Sequence, residues 1–168
     1  MLSPTYPQRY DQSQLAGFGK LSDMLLDYLS RCRGHAYGIV ALSQGAQAAS
    51  EALMALDPSQ TVNLKWVLLF GNPLHNSRQP QIDAIPNGGK HDGIYTLFVG
   101  GREFQLTVPK GLTNRVRSYC EKGDVICDYT KASAASCFAR PAACPHNFYI
   151  RDGWARDGAN WAIVRSRS

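Results

Sequence analysis

The 168-residue chain has no stretch of eighteen consecutive apolar residues, so nothing in it is long enough to span a bilayer as a helix. Its four histidines carry no ligand spacing: His35, His75 and His91 stand apart from one another and from any cysteine pair, which argues for surface or loop positions rather than a metal site. Repeats, low-complexity tracts and a linker are also missing, which leaves one domain over residues 1–168 as the expected organisation. Lys and Arg number 18 against 13 Asp and Glu, a formal charge of +5. The basic residues are dispersed rather than clustered, which excludes a nucleic-acid footprint, although the sign suits an anionic cell-envelope surface. The opening residues Met1-Leu2-Ser3-Pro4 show no secretory signal.

What is present begins with Tyr37-Gly38-Ile39-Val40-Ala41-Leu42-Ser43-Gln44-Gly45-Ala46. The apolar run suits a central parallel strand. It stops at Ser43 and restarts with helix formers, and the small Ala41, Gly45 and Ala46 leave room for a sharp strand-to-helix turn. Such a nucleophile elbow lifts Ser43 to the top of a sheet and points the Gln44 amide at whatever Ser43 attacks. Ser-x-Gly alone is a weak motif. It gains weight from Asp124, within Cys120-Glu121-Lys122-Gly123-Asp124-Val125-Ile126-Cys127, and from His146, within Cys144-Pro145-His146-Asn147-Phe148-Tyr149. Serine, acid and base then follow in the chain order of α/β-hydrolase triads.

Around these motifs the pattern alternates between strands and helices, which predicts an α/β fold with a mainly parallel sheet covered on both faces. Leu15, Phe18, Leu21, Leu25, Leu26 and Leu29 recur at helical spacing between Ser13 and Arg31. Ala46, Ala49, Leu53 and Leu56 continue a stripe until Asp57-Pro58 ends it. Lys65 to Phe70 reads as a second buried strand, Arg115 to Tyr119 as a third, and Trp154 to Arg165 as a last helix anchored by Trp161, Ile163 and Val164. Gly93 to Val99 and Arg102 to Val108, joined at Gly100-Gly101, read as a β-hairpin insertion over about 91–109, either a flap over the site or a surface extension on the sheet edge. Asp92, Asp128 and Asp152 lack the Gly-Asp context of Asp124 and read as solvated or capping residues.

From Tyr6-Pro7 onward the chain resembles the cutinase family of serine esterases. The family's Gly-Tyr-Ser-Gln-Gly-Ala is matched by Ala41-Leu42-Ser43-Gln44-Gly45-Ala46 with two departures, and its Cys-x-x-Gly-Asp-x-x-Cys at every fixed position by Cys120 to Cys127. Phe70-Gly71-Asn72-Pro73 resembles a turn seen in cutinases and in the related lysin B esterases of mycobacteriophages. The resemblance implies a three-layer α/β/α hydrolase fold, a Ser43, Asp124 and His146 triad working through an acyl-enzyme, and an oxyanion site that includes the Gln44 amide, with no metal or organic cofactor. It further implies disulfides Cys120–Cys127 and Cys137–Cys144, with Cys32 left over from the five cysteines as a free thiol. Ester, lipid or cutin-like polyester substrates, an extracellular location and a monomeric state follow from the same likeness.

Three departures accompany it: Cys32 has no partner upstream, Met1 stands only a few residues before Tyr6-Pro7, which matches a strand end of the family, and the Gly-rich loop that gives a second oxyanion donor has no counterpart. Together they predict a family member truncated at its N-terminus, with a sheet without its first strand, an exposed sheet edge, and feeble catalysis. The competing functional readings are a mycolyl ester hydrolase of the lysin B kind, which the cysteine-bracketed acid opposes, and a non-catalytic envelope- or tail-associated domain.

Overall fold

The computed structural model describes residues 6–98 and 105–167. A long helix α1 (Tyr6–Arg31) leads into strand β1 (Tyr37–Leu42), helix α2 (Gln44–Ala55) and strand β2 (Leu64–Phe70). A short helix α3 (Tyr95–Phe98), strand β3 (Val116–Tyr119), helix α4 (Lys131–Ala139) and helix α5 (Trp154–Ser166) complete the order. The three strands pair in parallel in the order β1-β2-β3.

Side chains alternate across β2 and divide the core in two. Val67 and Leu69 point to the face covered by α1 and α2, where they join Leu25, Ile39, Ala46, Ala49, Leu53 and Val116. Leu68 and Phe70 point to the opposite face and meet Ala162 of α5, Tyr119 and Tyr149. Burying each such leucine or valine stabilises the fold by about 1.5–3 kcal/mol relative to leaving it in water. The result is helices, parallel sheet, helix: the α/β layering expected from the alternation of elements.

Several expectations are corrected. Within the described sheet β2 is the central strand, while β1 lies at an edge in register with it (Val40 beside Leu68, Leu42 beside Phe70). Val40 and Leu42 remain 64% and 54% exposed, so the apolar side chains that β1 carries on the face of Leu68 and Phe70 are open to solvent. Tyr6 and Pro7 belong to the first turn of α1 rather than to a strand end. Proline is tolerated there because the first helical amides have no intrahelical acceptor. On α1, Leu25 is buried and Phe18 and Leu21 pack against the core, but Leu15 and Leu26 are exposed while Gln14 is buried. On α5, Ile163 and Val164 are exposed and the packing is made through Gly158 and Ala162, small residues that let the helix approach Leu68 and Phe70 closely.

No strand forms in the described part of the proposed hairpin; the Gly100-Gly101 turn and residues 99–104 lie outside the described residues. The reason is where the backbone donors go. Gly93 N–H donates to His75 O, Ile94 N–H to Ile126 O and Tyr95 N–H to Pro73 O, which turns the chain into α3. Leu106 N–H donates to Leu74 O, and Leu106 and Val108 are buried in the α1/α2-side core. Gln105, Leu106 and Val108 are therefore neither flap nor edge decoration; they fill the interior, with Thr107 between them exposed. Among the described residues no helix is long and apolar enough to cross a membrane.

Candidate active site

Ser43 sits at the junction of β1 and α2 with φ 56° and ψ −128°, a backbone conformation that costs a non-glycine residue about 1–3 kcal/mol and persists only where its surroundings impose it. Two anchors impose it here. Ser43 N–H donates to Phe70 O at 2.9 Å, tying the elbow to the end of the central strand, and Ser43 O accepts from Ala46 and Gln47 as α2 begins. The room for this turn is needed at Ala46, which is fully buried; a Cβ on Gly45 would meet nothing within 4 Å. Gln44 is the first residue of α2, so its amide has no intrahelical acceptor and is free to bind a developing negative charge. Its side chain reaches back to α1: Nε2 donates to Tyr10 O at 3.0 Å, and Ser13 Oγ donates to Oε1 at 3.3 Å.

Asp124 follows β3 in the loop closed by a Cys120–Cys127 disulfide. The side chain is fully buried, which would be costly for a carboxylate without donors. Oδ1 accepts from Ile126 N–H at 2.8 Å, Oδ2 from the Tyr149 hydroxyl at 2.6 Å, and both lie within 3.0 Å of His146 Nδ1. Burial, then the Asp124 charge, raise the Tyr149 phenol well above its ordinary 10, so it stays protonated and donates.

The loop itself is clamped by Asp128, which is buried rather than solvated. Its carboxylate accepts from the amides of Gly123, Lys90 and His91 and contacts His91 Nδ1 at 2.7 Å. Burial pushes the Asp128 carboxyl up, but the bonds from Gly123, His91 and Lys90 outweigh it and hold the group below 3.8. Asp92 accepts from Ser77, and Asp152 pairs with Arg151 at the surface.

His146 lies in a 3₁₀ turn (Pro145–Asn147) directly after a Cys137–Cys144 disulfide. Its Nε2 stands 2.9 Å from Ser43 Oγ. With Nδ1 against the carboxylate, Nδ1–H donates to Asp124 and Nε2 accepts from the serine hydroxyl. The three side chains chosen from sequence thus form one hydrogen-bonded line beyond the carboxyl ends of the strands. Cys32 is a free, half-buried thiol. His35 is exposed, but His75 is buried, with Nδ1 3.4 Å from Ser118 Oγ and Nε2 without a partner. Among the described residues no group of three His, Cys, Asp or Glu could hold a metal ion.

Gly71 and Tyr149 belong to the site in ways the sequence reading did not assign. Gly71 follows β2 with φ +54°, and a Cβ there would lie 2.6 Å from His146 Cε1 and 3.1 Å from Asp124 Oδ2. The Phe-Gly-Asn-Pro likeness flagged that turn without showing that the imidazole lies on it.

Parallel sheet, elbow and buried acid define an α/β-hydrolase-like fold. The cutinase family model matches residues 3–165, and the chain belongs to that family. A solved structure described as a novel cutinase-like protein from Cryptococcus sp. aligns over 94% of this chain and 73% of its own, at 22% identity and a TM-score of 0.68, a likeness of fold. No curated protein matches the chain. Family membership supports an esterase-type function.

Proposed function

We propose that the protein is a serine carboxylic-ester hydrolase in which Ser43 is the nucleophile, His146 the general base and acid, and Asp124 the residue that orients the imidazole. The observation that carries this is the 2.9 Å approach of His146 Nε2 to Ser43 Oγ while Nδ1 faces a buried carboxylate. Serine is a poor nucleophile at its own pKa, so attack on an ester carbonyl requires Nε2 to take the hydroxyl proton as the Oγ–C bond forms. The resulting oxyanion accepts a hydrogen bond from the Gln44 amide, a kind of donor worth roughly a hundred- to a thousandfold in rate. Collapse breaks the bond to the alcohol, which leaves with the proton from Nε2, and the acyl group stays on Ser43. Water then repeats the sequence with His146 as base and releases the acid. Asp124 stabilises the imidazolium without itself being protonated.

The substrates proposed are short- and medium-chain acyl esters, lipids or cutin-like polyesters, in an extracellular setting that would keep both disulfides oxidised. Hydrolysis of p-nitrophenyl butyrate and labelling by an organophosphonate probe test the reading. Ser43→Ala is expected to abolish the labelling and to lower kcat by about 10,000-fold or more. Hydrolysis that survives Ser43→Ala, or a wild-type chain that binds esters without turning them over, would sink it.

A further inference from the structure

Three donors converge on the Asp124 carboxylate: the Ile126 amide, the His146 imidazole and the Tyr149 phenol. The phenol makes the shortest of these contacts, 2.6 Å. Its ring is packed in the core edge-on to Phe70 at the end of β2, with centroids 5.7 Å apart, and stands at 88° to the His146 ring. Its oxygen also accepts from Glu121 N–H at 3.2 Å and lies 3.5 Å from Cys127 Sγ. One atom therefore touches both arms of the disulfide-closed loop and the acid between them.

We infer that Tyr149 is a positioning residue of the site: its hydroxyl holds the Asp124 carboxylate in place and aimed at His146, making a fourth member of the hydrogen-bonded line. Its consequence for turnover rests on the esterase reading; the bond to Asp124 does not. A purely structural tyrosine would fill the same space with its ring, and the two roles differ in their response to pH. The Asp124 and His146 pair carries one negative charge when the imidazole is neutral and none after one further proton is taken up, wherever that proton settles. A donor to Oδ2 favours the charged form. Removing the donor makes the pair easier to protonate, which shifts its protonation, and with it the acid limb of activity, to higher pH. The other charged or titratable groups around the cluster are Glu121 and Asp128 on the acid loop, His75 and Asp92 after β2, and Arg151 and Asp152 after Tyr149. None is changed by substitution at Tyr149.

The test compares wild type, Tyr149→Phe, and protein with 3-fluorotyrosine placed at position 149 by amber suppression, a nearly isosteric and more acidic phenol. Protonation of the pair is followed by NMR of ¹³Cε1-labelled histidine at His146, and kcat/KM for p-nitrophenyl butyrate is measured across the same pH range. In Tyr149→Phe the NMR midpoint and the acid limb are expected to move up together by about one pH unit. In the fluorotyrosine protein both should move down, and this arm decides the matter if the phenylalanine variant does not fold. Midpoints that stay with wild type overturn the inference and leave Tyr149 as packing. Midpoints that move as expected in a protein without Ser43-dependent hydrolysis uphold the role of Tyr149 and overturn the esterase reading instead.

Discussion

Gly71→Ala is expected to lose far more activity than stability, and Gly34→Ala is its matched control. Both glycines have positive φ, +54° and +81°. Alanine in left-handed backbone costs roughly 1–2 kcal/mol, partly offset by about 0.4–1 kcal/mol because the unfolded chain is restricted too. The net of about 1 kcal/mol lowers Tm by roughly 2–4 °C in a chain of this size. Up to this point the two substitutions are alike. They part at the surroundings: a Cβ on Gly34 meets nothing within 4 Å, while one on Gly71 would lie 2.6 Å from His146 Cε1 and 2.7 Å from Nδ1. Ordinary contact begins near 3.4 Å, so the imidazole must retreat by about 1 Å, a misplacement worth on the order of a hundredfold in rate. Thermal unfolding followed by circular dichroism, together with kcat on p-nitrophenyl butyrate, separates the two costs. Equal losses of Tm with a hundredfold loss of kcat in Gly71→Ala alone are expected. Gly71→Ala protein retaining activity within about threefold of wild type would show that the working imidazole does not lie on this turn.

Replacing Cys120 and Cys127 together by serine opens a loop of roughly eight residues, worth about 2.5 kcal/mol on the chain-entropy account. The variant should still fold in the cold yet turn over at least about tenfold more slowly per folded molecule, because Asp124 loses its frame; unchanged kcat at low temperature would contradict this. Burial pushes the Asp83 carboxyl from 3.8 up to about 6, so between these values the folded chain keeps a proton that the unfolded chain has released. Stability then falls as pH rises through that window. Asp83→Asn should therefore raise Tm over wild type at pH 7 and lose that advantage by pH 3.5; an equal gain at both would place its cause elsewhere. Val40→Lys, on the exposed strand β1, should leave the stability nearly unchanged, within about 0.5 kcal/mol, and suppress concentration-dependent light scattering. Scattering that persists would mean that chains do not associate through this strand.

The elbow was legible because an apolar strand, a serine and small helix formers leave one local geometry open. Acid and base were legible because each stands in a short motif that carries its own constraint. The misreadings share a cause: they concern which partner a group finds far along the chain. Residues 93–99 are rich in β-branched and aromatic side chains like a strand, but the amides of Ile94 and Tyr95 are taken by Ile126 O and Pro73 O, acceptors 32 and 22 residues away. His75, expected at the surface or in a loop, lies in a loop but is buried, and Asp128, expected to be solvated or capping, is buried because three backbone amides converge on it. Nothing local to either residue announces that. Tyr149 stands three residues after His146; that its hydroxyl meets an acid 25 residues earlier depends on the fold bringing two loops together.

The same distinction explains why leucine periodicity described α1 poorly. A stripe of leucines should turn inward, but Leu15 stays in solvent and Gln14 is buried against α2, where its Nε2 donates to Glu51. Tyr10 donates to Gln47 Oε1 at 2.6 Å, and Tyr10 O accepts from Gln44 Nε2. Burial raises the Glu51 carboxyl, a further sign that this seam is shielded from water. Apolar contact is non-directional and tolerates small slides of one helix on another, whereas a row of hydrogen bonds holds only at one register and rotation. The polar seam therefore fixes α1 against the first turns of α2, where Gln44 presents the amide proposed to receive the oxyanion. The departure from a leucine-packed helix falls at the place where the proposed chemistry demands a fixed donor.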